Sequence, residues 1–324
     1  MPETTYLDAI RTAMIEEMAR DERVFLIGED VGAYGGAFKT SAGILDQFGP
    51  GRVIDTPISE VAIVGAASGA ALMGMRPIAE MQFIDFITVA YDMLVNFTAT
   101  SRYRVGSACP LVVRGPAGGG VHGGPFHSLN PEAMFMNRPG LKIVAPGTAY
   151  DAKGLMKAAI RDDDPVIYIE HKYLYRRIKE TLPEDDYIVP IGKANRRRAG
   201  KDLTIVTWGA MIYLADEVAD ELAKDFISTE ILDLRSILPF DEEAILESVA
   251  KTNRVLILHE APLTGGAGAE FAARIAEKAF DYLDAPIKRV GALDVPTPYS
   301  PPLEAAALPD KTRVLAAARE LLAY

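Results

Sequence analysis

Cysteine is nearly missing from this sequence. The single one, Cys109, cannot form an intrachain disulfide, so the fold is not held by one and a reducing, cytoplasmic location is expected. Positive charge is in deficit: 34 Lys and Arg against 45 Asp and Glu leave a net charge of -11, which opposes attraction to nucleic-acid phosphates or anionic lipid. Neither nucleic acid nor membrane is an expected partner. Long apolar runs are lacking as well. The longest, Val61 to Met75, is short of the ~18 residues that a membrane span needs and carries three glycines. The start, MPETTYLDAIRTAMIEEMARDERV, alternates apolar and charged positions like an amphipathic helix, without the basic flank and apolar core of a secretory signal. No internal repeat or low-complexity tract interrupts the chain, and no P-loop sequence offers a phosphate cradle.

What is present is core-forming material. A composition of 49% hydrophobic and 24% charged residues is that of a soluble globular protein, and 324 residues at ~150 per domain suggest two domains. The runs RVFLIGED, RPIAEMQF, CPLVVRGP, LKIVAPG and DPVIYIEH read as buried parallel strands. Helical stretches at Thr5 to Arg20, Ser59 to Gly74, Val89 to Arg104 and Ala149 to Arg161 separate them, which predicts an α/β fold. From residue 179 to 201 the chain is charged, contains two prolines and loses helical periodicity, as a linker would. The pattern then restarts with LTIVTWG, STEILDLRS, RVLILHE and PIKRVGAL, alternating with helices near 211–224, 241–250, 267–283 and 310–323. Residues 1–178 and 202–324 are therefore the two expected domains, both α/β, the second smaller. The basic runs Arg176-Arg177 and Arg196-Arg197-Arg198 read as solvated surface.

Chemistry gathers at a few places. In DTPISE, Asp55 to Glu60, Ser59 is a good helix N-cap, and an acid in the first turn gains ~0.3–1 kcal/mol from the helix dipole. Behind Glu60, the small residues of AIVGAASGAALMG permit close packing and predict a deeply buried helix. A carboxylate at a buried helix mouth suits proton exchange with a heterocycle. The segment 118–124 holds five glycines in seven residues around Val121 and His122, and His127 follows. A histidine on such a loop is an acid/base candidate or a solvated loop residue; the want of further ligands argues against a zinc site. Gln82 and Phe86 in EMQFIDF and Glu29 in GED stand at strand ends, where ligands of open α/β sheets collect. His171 and His259 carry no assigned chemistry. There is no GDG followed some thirty residues later by an Asn, the arrangement that holds Mg2+ and a diphosphate in thiamine enzymes.

Together LIGEDVGAYGGAF, the block from FGPGRVIDTPISE to EMQFIDF, HSLNPEAMF, ILDLRSILPFD and ILHEAPLTGGAGAE resemble the β subunit of the thiamine-diphosphate-dependent decarboxylase of 2-oxo acid dehydrogenase complexes, over about residues 4 to 322. The resemblance implies a transketolase-like pyrimidine-binding domain, a parallel sheet flanked by helices, then a transketolase C-terminal domain. It further implies an α2β2 heterotetramer whose α subunit brings Mg2+ and holds the diphosphate. On the matching positions Glu60 would hydrogen-bond the aminopyrimidine ring and favour its imino form. His127 would assist acyl transfer to a lipoyl group on the acyltransferase component. Gln82, Phe86 and Glu29 would line the pyrimidine. Two departures stand out: Leu129 where relatives commonly have Gln, and Phe86 where they often have Tyr. Some relatives hold potassium at positions matching Leu111, Ala159, Ile160, Asp162 and Asp164, the last replacing a frequent Asn.

The substrate implied is a small 2-oxo acid, pyruvate or a branched-chain one, with PEAMF and EHKYLYR leaning to branched-chain relatives and acetoin cleavage a third reading. A split transketolase half would need a partner with phosphate-binding basic residues. A noncatalytic assembly subunit would not need Glu60, Gln82 and His127 together.

Overall fold

Strands buried on both faces have no polar side to alternate with, and the β-branched runs of this chain become such strands. In the computed structural model, which describes residues 3–324, they fall into two compact units. The first unit runs to Ala117 and resumes over Met134–Ile191; the second comprises Gly118–Ala133 and Gly192–Tyr324.

In the first unit the parallel strands stand in the order Lys142–Val144, Val166–His171, Val112–Ala117, Arg76–Glu80, Val24–Gly28 and Val53–Asp55. The chain leaves Val24–Gly28 for Val53–Asp55 on one side and returns to Arg76–Glu80 on the other. That reversal opens a crevice at the carboxyl ends of these strands, the usual ligand position in an open α/β sheet. The helices Tyr6–Arg20 and Ala149–Arg161 start at Thr5 and Thr148, whose hydroxyls accept from the Asp8 and Asp151 amides at 3.0 Å. They are tied by Lys153 and Lys157 to Glu16 and by Arg161 to Glu17.

Two expectations fail here. The helix Glu60–Leu72 is not deeply buried: Ile63, Val64, Ala67, Ser68 and Ala71 pack inward, while Val61, Ala62, Ala66 and Gly69 face outward. Close packing among small residues leaves one side of a helix over when only one sheet lies behind it. The stretch expected as one helix over 89–104 is instead a 3-10 helix Ile84–Ala90, a π-helix Met93–Thr98 and a short α-helix Ser101–Val105. Hydroxyls explain the breaks: Thr98, Thr100 and Ser101 donate to the carbonyls of Met93, Asn96 and Phe97 and compete with the regular ladder.

The second unit has a five-stranded sheet in the order Lys288–Ala292, Val255–Pro262, Leu203–Thr207, Thr229–Asp233 and Asn195–Arg198. All are parallel except the last, an antiparallel edge. Leu203, Ile205, Ile231, Leu256 and Leu258 build its core against the helices Met211–Ala223 and Lys311–Leu322. The segment 179–201, expected as a linker, divides: Lys179–Glu180 pairs with Thr4–Thr5 in the first unit, and Asn195–Arg198 is the edge strand of the second. Its arginine run is therefore not simply solvated, since Arg196, Arg197 and Arg198 pair with Glu230, Asp216 and Asp220.

Candidate active site

The DTPISE segment is knitted to the end of the neighbouring strand. Asp55 accepts from the Gly32 amide at 2.6 Å, and the Thr56 amide donates to the Gly28 carbonyl at 2.9 Å. A Cβ on Gly32 would overlap the Asp55 carboxylate, so glycine is required for this approach. Ser59 holds the cap position, yet its hydroxyl donates to the Pro57 carbonyl at 3.0 Å and makes no side-chain cap. Its backbone favours the ionised form of the Glu29 carboxylate. Glu60 is the first residue of the helix.

These contacts bring Glu29 and Glu60 together at the crevice, both buried, 5% and 8% exposed. Burial first, then the facing Glu60, raises the Glu29 pKa, and the Ser59 backbone offsets only part of this. Glu29 Oε1 is buried without a hydrogen-bond partner, as is Thr56 Oγ1 beside it in the chain turn. An orphaned carboxylate oxygen opposite a second carboxylate is costly unless a donor arrives from outside the chain. The arrangement fits the amino and ring nitrogens of an aminopyrimidine. Gln82 stands at the same rim and donates to Asp30 at 3.1 Å. Phe86 is half-buried in an aromatic row, edge-on to Phe83, which packs edge-on to Phe38.

Beneath the crevice lies a charge cluster that the sequence reading passed over. Arg114, 1% exposed, donates twice to Glu170 and once to Glu80, and the Tyr175 hydroxyl donates to Glu170 at 2.6 Å. One guanidinium serves two carboxylates, and the less fully bonded one yields. Burial pushes Glu80 up to about 7, against the pull of Arg114 and with the push of Glu170. An arginine within a strand otherwise buried throughout was the signal available for it.

His127 lies on the loop 118–133, which packs with the second unit. Its Nδ1 lies 3.3 Å from the Gly123 carbonyl. The loop's stem is held by Glu260, which accepts from the Gly119 amide at 2.6 Å and from Asn130 at 3.2 Å. The Glu304 carboxylate accepts from the Gly120 and His122 amides and lies 2.6 Å from His122 Nδ1. No local pattern could have pointed to these acids, 141 and 182 residues away. His259 is a core residue stacked on Trp208, its pKa pushed down to about 4 by burial.

Several of the positions matched to potassium accept hydrogen bonds from basic side chains. Carbonyls of Ile160 and Asp162 accept from Arg76, the Asp162 carboxylate from Lys142, and Asp164 from Arg102. Among the described residues no group of three or more His, Cys, Asp or Glu is placed to hold a metal, and no helix is long and apolar enough to cross a membrane.

Residues 3–177 match the family described as transketolase, pyrimidine binding domain, and residues 192–314 the transketolase C-terminal domain. The chain is 51% identical to the 2-oxoisovalerate dehydrogenase subunit beta of Bacillus subtilis, over 99% of both chains. It is 45% identical to the pyruvate dehydrogenase E1 component subunit beta of Rickettsia felis, over 99% of this chain and 98% of that one. Among solved structures, a split gene transketolase described as an inactive beta4 tetramer shares the fold, with a TM-score of 0.82, 23% identity and 99% of each chain covered. The chain belongs to the family of β subunits of 2-oxo acid dehydrogenases, built from transketolase pyrimidine-binding and C-terminal domains.

Proposed function

We propose that this chain is the β half of a thiamine-diphosphate-dependent 2-oxo acid decarboxylase that passes the acyl unit to a lipoyl group. The observation that carries the reading is the orphaned Glu29 oxygen facing Glu60 at the switch point of the sheet. Thiamine diphosphate supplies the electron sink for loss of CO2. Glu60 exchanges a proton with the pyrimidine ring nitrogen, and Glu29, pushed towards its protonated form, offers a donor beside it instead of a second full charge. Gln82 and Phe86 orient the ring and shield it from water, and His127 serves acyl transfer. Mg2+ and the diphosphate belong to an α subunit in an α2β2 assembly, which accords with the want of a GDG…N sequence here. A potassium ion would take oxygens of Leu111, Ala159, Ile160, Asp162 and Asp164, beside the Arg76, Lys142 and Arg102 contacts of the last three. The substrate is pyruvate or a branched-chain 2-oxo acid, the two kinds named in the relatives at 45% and 51% identity.

The test is reconstitution. The β chain alone should release no CO2; with its α subunit, Mg2+ and thiamine diphosphate it should release CO2 from pyruvate or 3-methyl-2-oxobutanoate. Ketol transfer between sugar phosphates, with no CO2 from any 2-oxo acid, would instead establish a split transketolase. A pair inert on both, yet still binding the acyltransferase, would establish an assembly subunit.

A further inference from the structure

We propose that Glu304 is a positioning residue for the histidine loop: its carboxylate fills the turn 120–122 and so fixes where His127 sits. The inference rests on the role given to His127 above. Four observations within the second unit support it. First, Glu304, with a side chain 2% exposed, accepts at 2.9 Å from the Gly120 amide and at 3.2 Å from the His122 amide, and pairs with His122 Nδ1. Second, Gly118, Gly120, His122 and Gly124 all have left-handed φ, between 62° and 81°. Left-handed residues alternating with others turn amides to one side and make an anion-binding hollow. Here the resident anion is the protein's own carboxylate, and the strain at His122, a non-glycine, is offset by its two bonds to it.

Third, the loop lies directly on the segment that carries Glu304. A Cβ on Gly119 would come 2.9 Å from Leu308, and one on Gly124 would overlap the Tyr299 ring. Fourth, the hollow is mechanically continuous with His127. Gly123 follows His122, and its carbonyl, which can only accept, takes the His127 Nδ1 hydrogen and thereby selects the tautomer. A Cβ on Gly123 would lie 2.9 Å from the His127 carbonyl, so the backbone packs closely against His127 there. Glu260 closes the loop's stem, and Glu304 sets its tip.

The experiment compares Glu304→Ala and Glu304→Gln with wild type in the β chain and in the reconstituted pair. Hydrogen exchange of amides 119–127 should accelerate about tenfold to a hundredfold in Glu304→Ala and less in Glu304→Gln, which retains an acceptor oxygen. Formate, which replaces the deleted carboxylate, should restore protection in Glu304→Ala. In the pair, lipoyl acylation should fall at least about tenfold and recover in part with formate, whereas reduction of an artificial oxidant by the 2-oxo acid should fall much less. His127→Ala should lose acylation and ignore formate. Unchanged exchange in both variants would overturn the proposal, as would equal loss of both activities without a response to formate. Should the wild-type pair acylate no lipoyl group, the role of His127 fails, and exchange with and without formate still decides whether Glu304 holds the loop.

Discussion

Each unit of this protein carries a pair of buried carboxylates, and the two pairs are built in opposite ways. In the second unit Glu260 and Glu304 are supplied with donors by the loop they hold. In the first, Glu29 and Glu60 face each other, one Glu29 oxygen lacks a partner, and burial drives Glu29 towards protonation. Desolvation is costly in both places, and only the second unit offsets it from within its own chain. A carboxylate saturated by loop amides fixes backbone; Glu29, with an unpartnered oxygen beside a second acid at the crevice, suits a ligand. The difference separates positioning from chemistry more firmly than burial does, because all four acids are less than 9% exposed.

The strongest way to break the comparison is Glu60→Gln in the reconstituted pair. Decarboxylation should fall about 10²–10⁴-fold, the usual worth of a positioned acid or base. Stability should not fall with it, since the amide removes a like charge facing Glu29. Thermal melting of the β chain alongside the CO2 assay separates the two effects. Activity near wild type would remove Glu60 from the chemistry, and a collapsed melting temperature would make it structural.

This asymmetry was only half legible in the sequence. The strands could be read because parallel strands are continuous apolar runs, and Val24–Gly28, Val112–Ala117 and Val166–His171 are buried throughout. Glu60 could be read because an acid, a serine and a small-residue helix are consecutive in the chain. Glu304 and Glu260 could not, because their partners are brought to them by tertiary folding alone. The helix Glu60–Leu72 misled for the same reason: glycine and alanine permit close approach but do not say on how many sides. The stretch 89–104 misled because its apolar spacing is helical while its hydroxyls compete for the same carbonyls.

Glu80 sharpens the comparison as an intermediate case, bonded to Arg114 yet raised to about 7. Its folded pKa exceeds the unfolded value near ~4.5, so the native state binds more protons between the two. The stability it contributes is full below about pH 4.5 and is lost as pH rises through about 7. Urea melts at pH 5, 6, 7 and 8 should therefore give a wild-type stability, relative to Glu80→Gln, that declines with pH by no more than about 3 kcal/mol. A difference that stays flat from pH 5 to 8 would mean that Arg114 holds Glu80 ionised throughout.

The smallest effect is expected at Ser59, and it tests whether the first pair is organised by backbone or by side chain. A serine that caps a helix costs about 1 kcal/mol when replaced by alanine. Here the hydroxyl donates to Pro57 instead, and it is the backbone of Ser59, which alanine keeps, that favours the ionised form of Glu29. Ser59→Ala should therefore cost less than about 0.5 kcal/mol in urea melts and leave CO2 release by the pair unchanged. A full capping loss would mean that the hydroxyl turns to the helix in solution. Lost activity at unchanged stability would mean that the Ser59 side chain, rather than its backbone, sets the spacing of Glu29 and Glu60.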